Sequence, residues 1–252
     1  MLMESILSIS VVSKKYRLKC LLYLSRYLDP ANETHIQFII HILPEVVICV
    51  KDSSKKVRAI CLAIVTRFSD IMALSSLSYS REDGSVHQAS LREFIGLLTA
   101  CLTAQSTHMQ AAGVLSLGAV LRHHSKDSEC EDVLISVLHC VYELMRTGNK
   151  ELVKSGLKYV RIACRLLSDN DLMTEIDAIM EHVMATGSEN KNKFRTIIRS
   201  ILEVLLKRVG EEEVRGRMPE EDLPLLTNIL RMERRKENSK KHQVGDSEIV
   251  DK

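Results

Sequence analysis

The chain has 252 residues, and 45% hydrophobic with 27% charged residues is the balance of a globular protein, which excludes wholesale disorder. Ten glycines and four prolines are too few for a turn-rich all-β fold or for the tight loops of a parallel α/β fold, so long helices are expected. A formal net charge of +2 gives no argument for a nucleic-acid partner, and the lack of Trp with only four Phe speaks against an aromatic stacking platform. The distribution of charge says more. Residues 1–189 carry 20 basic and 21 acidic side chains, residues 190–242 carry 14 and 9, and residues 243–252 return −2.

Met1 to Val12 is apolar, but it contains Glu4 and has no basic lead, so a signal peptide is not expected. The oily stretch Ile36 to Val50 is broken by Gln37, His41, Pro44 and Glu45, too short and polar to span a bilayer. A soluble, intracellular protein follows as the expectation. Seven cysteines without CxxC or zinc spacing read as small buried hydrophobes in a reducing compartment.

Taken in chain order, helical periodicity repeats. Ile36, Ile39, Ile40, Leu43, Val46, Val47 and Val50 advance by threes and fours, with Pro44 expected to kink the helix. Asp52 or Ser53 can cap the next stripe, which runs Val57, Ile60, Cys61, Ile64, Val65 and Phe68. Ser75 to Ser90, polar and containing Asp83-Gly84, reads as a surface loop. Further stripes follow around Phe94 and Leu98, then Val114 and Leu121, then Val137 and Val141. Gly148 suits a left-handed helix stop and Asn149 a cap before Val153, Leu157, Val160 and Cys164. Ile176 and Ile179 precede Phe194, Ile198, Ile201 and Leu205, and Gly210 suits another stop. Glu211-Glu212-Glu213 reads as a solvated turn, and Pro219 with Glu220 to Asp222 as the opening of a last helix.

Every second helix opens with an apolar residue followed by a polar one: Tyr16-Arg17, Val57-Arg58, Met109-Gln110, Val153-Lys154 and Phe194-Arg195. Their separations are 41, 52, 44 and 41 residues, and helix pairs with a period of roughly 40–47 residues mark HEAT or armadillo arrays. The expected fold is therefore all-α, an α-solenoid of HEAT/ARM-like helical hairpins over 1–237, ending in a C-terminal capping helix. Residues 238–252, without periodic apolar pattern, are expected to be a short disordered tail.

A search for chemistry finds little. Gly113 and Gly118 have a phosphate-loop gap without the following Lys, inside a helix. His123-His124 is a helix-end pair with no further ligands evident, so no metal, no cofactor and no catalytic residue is expected. What remains is surface. Lys154, Lys158, Arg161 and Arg165 advance by 4, 3 and 4, and Lys191, Arg195 and Arg199 by 4 and 4. Second helices line the concave side of HEAT arrays, so the two ladders are candidates for RNA or another anionic partner, against the alternative of a solvated helix face.

The segment Lys150-Glu151-Leu152-Val153-Lys154-Ser155-Gly156-Leu157-Lys158-Tyr159-Val160 resembles part of the ribosomal RNA-processing protein 12 family. So do Asn192-Lys193-Phe194-Arg195, Ile201-Leu202-Glu203, Lys207-Arg208-Val209-Gly210, Pro219-Glu220-Glu221-Asp222 and Leu225 to Ile229 before Arg234-Arg235-Lys236. Leu43-Pro44-Glu45-Val46 resembles an earlier repeat. The resemblance implies the C-terminal portion of a longer non-enzymatic HEAT-repeat scaffold of the nucleus and nucleolus. It further implies a role in rRNA processing and in maturation or nuclear export of small-subunit precursors. The implied partners are the pre-ribosomal particle, both RNA and assembly factors, and the nuclear-transport machinery, with no membrane and no small-molecule substrate. The alternative is another HEAT-repeat adaptor, a nuclear-transport receptor fragment or a phosphatase scaffold.

Overall fold

A computed structural model describes residues 11–81, 84–186 and 188–247, apart from the side chains of 11–12, 129, 132, 188–192 and 236–247. The expected signal-peptide-free N-terminus lies largely outside the described residues. The chain is mostly helical, 79%, with its helices packed as consecutive pairs. It divides into two compact units, the first ending at Leu166 and the second starting at Leu167. No helix of the described residues is long and apolar enough to cross a membrane.

The first unit contains α1 (Val11–Leu24), α2 (Glu33–Cys49), α3 (Lys55–Leu74), the strands β1 (Ser78–Ser80) and β2 (Val86–Gln88), α4 (Leu91–Ala100), α5 (Thr107–His123), α6 (Ser128–Arg146) and α7 (Lys150–Leu166). Helix α2 pairs with α3, α4 with α5 and α6 with α7; α3 then packs on α5 and α5 on α7, while α4 packs on α6. The hairpins thus stack into two layers, with α3, α5 and α7 neighbouring one another. Local chemistry sets the ends. Asn32 accepts from the amides of Thr34 and His35 to start α2, and Ser90 accepts from Glu93 to start α4. Gly148 takes φ +71 and Asn149 accepts from the amides of Glu151 and Leu152, so the expected stop and cap are both there.

Core positions follow the stripes: Ile36, Ile39, Val46, Cys61, Ile64, Val65 and Phe68 are all fully buried. Helix α5 departs from a single stripe. Ala111 through Val114 and Ser116 through Leu121 are buried, because α2, α3, α4 and α7 surround it. Its glycines permit that closeness; a Cβ on Gly118 would stand 3.0 Å from Ile162 Cδ1.

One expectation is revised in this unit. Ser75 to Ser90 is not a plain loop: β1 and β2 pair antiparallel, Tyr79 opposite His87, and Tyr79 is buried with its hydroxyl donating to Glu93 Oε1 at 2.7 Å. Burial and that bond push the Tyr79 phenol up to about 12. Pro44 lies inside α2 with its side chain exposed. Tyr16, at the repeat position where Val57, Val153 and Phe194 are buried, is 58% exposed beside the ammonium groups of Lys15 and Lys19.

The second unit contains α8 (Asp169–Met184), α9 (Ser188–Val209), α10 (Glu211–Gly216) and α11 (Leu223–Ser247). Ser168 caps α8, and Arg208 near the end of α9 donates to Leu167 O at 2.7 Å and pairs with Asp169, closing the α8–α9 hairpin. Gly210, at φ +93, ends α9 as expected. Glu211 to Glu213 do not form a solvated turn: they open α10, where carboxylates meet the positive end of the helix. Glu220 to Asp222 form a 3-10 turn before α11 rather than its first α-turn. The backbone of α11 is helical to Ser247, past the point where the apolar pattern stops.

Candidate nucleic-acid interface

The second helices of the first unit run parallel. His108 at the start of α5 faces Glu151 at the start of α7, Nδ1 to Oε1 3.6 Å, and Gly118 lies against Tyr159 and Ile162. At the far end, Ser69 and Asp70 of α3 meet His124 and His123 of α5. The N-termini of α3, α5 and α7 therefore lie together. Ser54 and Ser106 precede α3 and α5 without a side-chain cap bond, so the amide ends there add positive potential.

On α7 the apolar side, Leu152, Val153, Leu157, Tyr159, Val160, Ala163 and Cys164, is buried against α5 and α6. The same winding turns Lys154 and Arg165 outward and leaves Lys158 and Arg161 half-buried. The four candidate cations of this ladder share one helix, and Lys154, Lys158 and Arg165 have no carboxylate partner among the described residues. Burial first, then the fields of Lys154, Lys51, Arg58 and Arg161, push the Lys158 ammonium below its ordinary pKa. Burial followed by Arg165 and Arg122 does the same to Arg161. Glu151, the acidic residue in the first turn of this helix, is taken by Lys51, just past α2, Nζ to Oε1 3.0 Å. Lys51 and Arg58 were not among the candidate residues. Nothing in the local sequence joins positions about 100 residues apart; only the stacking of hairpins does.

The second ladder belongs to the other unit. Arg195 is exposed, whereas Arg199 is compensated by Glu203 one turn on, Nε to Oε1 2.9 Å. Lys191 lies on α9, but its side chain is outside the described residues.

The His123-His124 pair gains a neighbour that the sequence does not reveal. Asp70, from α3, puts Oδ1 2.7 Å from His123 Nε2 and 3.6 Å from His124 Nε2. The three donor atoms lie within 4.8 Å of one another. Hydrogen bonding accounts for the arrangement: Ser69 donates its hydroxyl to Thr66 O at 2.7 Å, so His124 Nε2–H donates to Ser69 Oγ at 2.9 Å, and His123 Nε2–H donates to Asp70. A metal ion would have to displace both protons.

Burial, then His123, lower the His124 pKa, with Asp70 and Asp127 opposing. The unfolded chain, titrating near about 6.5, binds the proton more readily than the folded one. Stability from this group is therefore complete above that pH and declines as pH falls toward the depressed folded value. The midpoint of thermal unfolding should drop between about pH 7 and pH 5.5, and His124→Gln should flatten that part of the profile. An unchanged slope in the variant would place the dependence elsewhere.

A groove of about 740 Å³ lies between α2, β1 and α4, lined by Ile40, Pro44, Leu97, His41 and Arg81 among others. Its described lining includes no Asp, Glu or Cys.

No protein-family model matches the chain. The chain is similar to RRP12-like protein of Homo sapiens, 26% identical over 250 residues, covering 99% of this chain and 18% of that protein. It is similar to ribosomal RNA-processing protein 12 of Saccharomyces cerevisiae, 23% identical over 224 residues, covering 86% of this chain and 18% of that protein. RRP12-like protein of Gallus gallus is 25% identical over 93% of this chain and 17% of its own length. Among solved structures, an engineered protein superposes with a TM-score of 0.44 at 9% identity, over 91% of this chain and 92% of that one. The chain is a distant homologue of the RRP12 proteins over nearly all of its length and spans about 18% of theirs.

Proposed function

We propose that this chain serves as part of a non-catalytic helical-repeat scaffold in ribosome biogenesis, supporting rRNA processing and the maturation or nuclear export of small-subunit precursors. Its setting is the nucleus and nucleolus. The distant homology to proteins named for ribosomal RNA processing supports the process. The observation that carries the contact is the α7 face, where Lys154, Lys158 and Arg165 stand without carboxylate partners among the described residues, beside Arg161. Neutralising phosphates with such a face releases counterions and gives affinity without reading sequence. Lys191, Arg195 and Arg199 extend the same role to the second unit. A stiff helical surface holds RNA and assembly factors at several points at once, and the transport machinery can dock on the same outer surface.

Affinity capture of the tagged gene product tests this. The expected result is co-purification of small-subunit precursor RNA and assembly factors, lost in high salt. Recovery of a phosphatase catalytic subunit or import cargo instead, with no precursor RNA, would overturn it in favour of another helical-repeat adaptor.

A further inference from the structure

Three elements of the first unit bring charge to one place. Lys51, just past α2, reaches Glu151 on α7 at 3.0 Å. Arg58, in the first turn of α3, donates to the carbonyls of Asp52 and Ser53 at 2.8 and 2.7 Å, which pins its guanidinium against the α2–α3 turn. Glu151, Lys154 and Lys158 stand on one face of α7, at offsets of 0, 3 and 7. The Lys51–Glu151 bridge therefore sets the α2–α3 turn beside Lys154 and Lys158.

Negative charge does not match this. The carboxylate in the turn, Asp52, is engaged: Oδ2 takes Lys14 Nζ at 3.2 Å and Oδ1 accepts the Ser54 amide at 2.8 Å. Among the described residues Glu151 pairs with a member of this group, and it is shared between Lys51 and His108. A half-buried ammonium surrounded by four other cations is costly in the free protein. Cations gathered in this way are a place where an anion would relieve the repulsion.

We propose that Lys51, Arg58, Lys154 and Lys158 form one site for a phosphodiester of RNA, with the Glu151 carboxylate holding Lys51 until a phosphate takes its place. This rests on the RNA-scaffold reading and names where that contact begins. The site favours a polymer over a small anion because Arg161 and Arg165 continue the cations along α7 at regular helical spacing. Arg58 is the anchored member, since two carbonyls fix it. Lys51 is the exchangeable one, since its partner is a side chain on another helix.

The test is binding of a labelled oligouridylate to the full chain across a salt series, with inorganic pyrophosphate as competitor. Glu151→Gln should tighten RNA binding by roughly two- to five-fold, because it frees Lys51 without removing a cation. Lys51→Gln and Arg58→Gln should each weaken it and reduce the slope of log affinity against log salt by about 0.7. Arg58→Gln also removes bonds to the turn; Arg58→Lys, which keeps the charge, separates the two effects, and thermal unfolding reports the fold. Binding by the unmodified chain that is indifferent to Glu151→Gln and Lys51→Gln overturns this site and leaves the scaffold reading intact. No RNA binding by the unmodified chain overturns both. Displacement of RNA by low pyrophosphate would assign the site to a small anion and overturn the polymer.

Discussion

Tyr159→Ala is expected to destabilise the first unit by about 3–5 kcal/mol, the range for deleting a fully buried aromatic side chain. Tyr159 is 1% exposed, lies against Gly118 of α5, and donates its hydroxyl to Leu134 O at 3.1 Å. It therefore ties α7 to both α5 and α6, and nothing outside can refill its space without moving a helix. Burial holds its phenol well above the ordinary pKa. Tyr159→Phe keeps the volume and removes one bond, at about 1 kcal/mol. Urea unfolding followed by circular dichroism measures both. A loss from Tyr159→Ala no larger than that from Tyr159→Phe would mean that α7 does not pack as described.

Reversing Lys154, Lys158, Arg161 and Arg165 together to Glu should leave the fold in place and abolish RNA retention at physiological salt. Lys154 and Arg165 are exposed and the other two half-buried, and thermal unfolding of the variant checks the fold. Each single-strand phosphate contact contributes about 0.7 to the salt slope, so four lost contacts flatten it by about 2.8. The loss should be the same for different RNA sequences, because phosphates carry no base identity. Anisotropy titrations with two unrelated oligonucleotides check this. A variant that loses one sequence and keeps the other would point to base readout instead of a phosphate track.

The hairpin architecture was legible because burial leaves a period. Val57, Cys61, Ile64, Val65 and Phe68 advance as one buried stripe, and Gly148 and Gly210 adopt the positive φ that their place at a helix end calls for. Where burial is not one-sided the pattern fails: α5, enclosed by four helices, is apolar nearly all round, so its stripe understates its core. The β1–β2 pairing was missed because strands of three residues carry no usable alternation; its signal is the single buried Tyr79. Repeat position also misleads at Tyr16, which opens a second helix as Val57 does yet faces outward.

For the candidate site, the α7 ladder was legible from spacing alone, since four cations at helical intervals need no tertiary knowledge. The groups that complete it were not. Lys51 and Arg58 meet Lys158 only because α3, α5 and α7 stack in parallel, and Asp70 reaches His123 for the same reason. Long-range charge pairing is a property of the stack, and no local window contains it. Glu203 neutralises Arg199 on its own helix, whereas Glu151 turns to Lys51, just past α2.

Cross-linking of the tagged protein to RNA in cells, followed by identification of the peptides that carry nucleotide, addresses the scaffold account most directly. The account predicts nucleotide on peptides from Lys150–Leu166 and from the Lys51 to Arg58 turn, with precursor rRNA as the attached species. Captured precursor rRNA with nucleotide confined to other segments would contradict it.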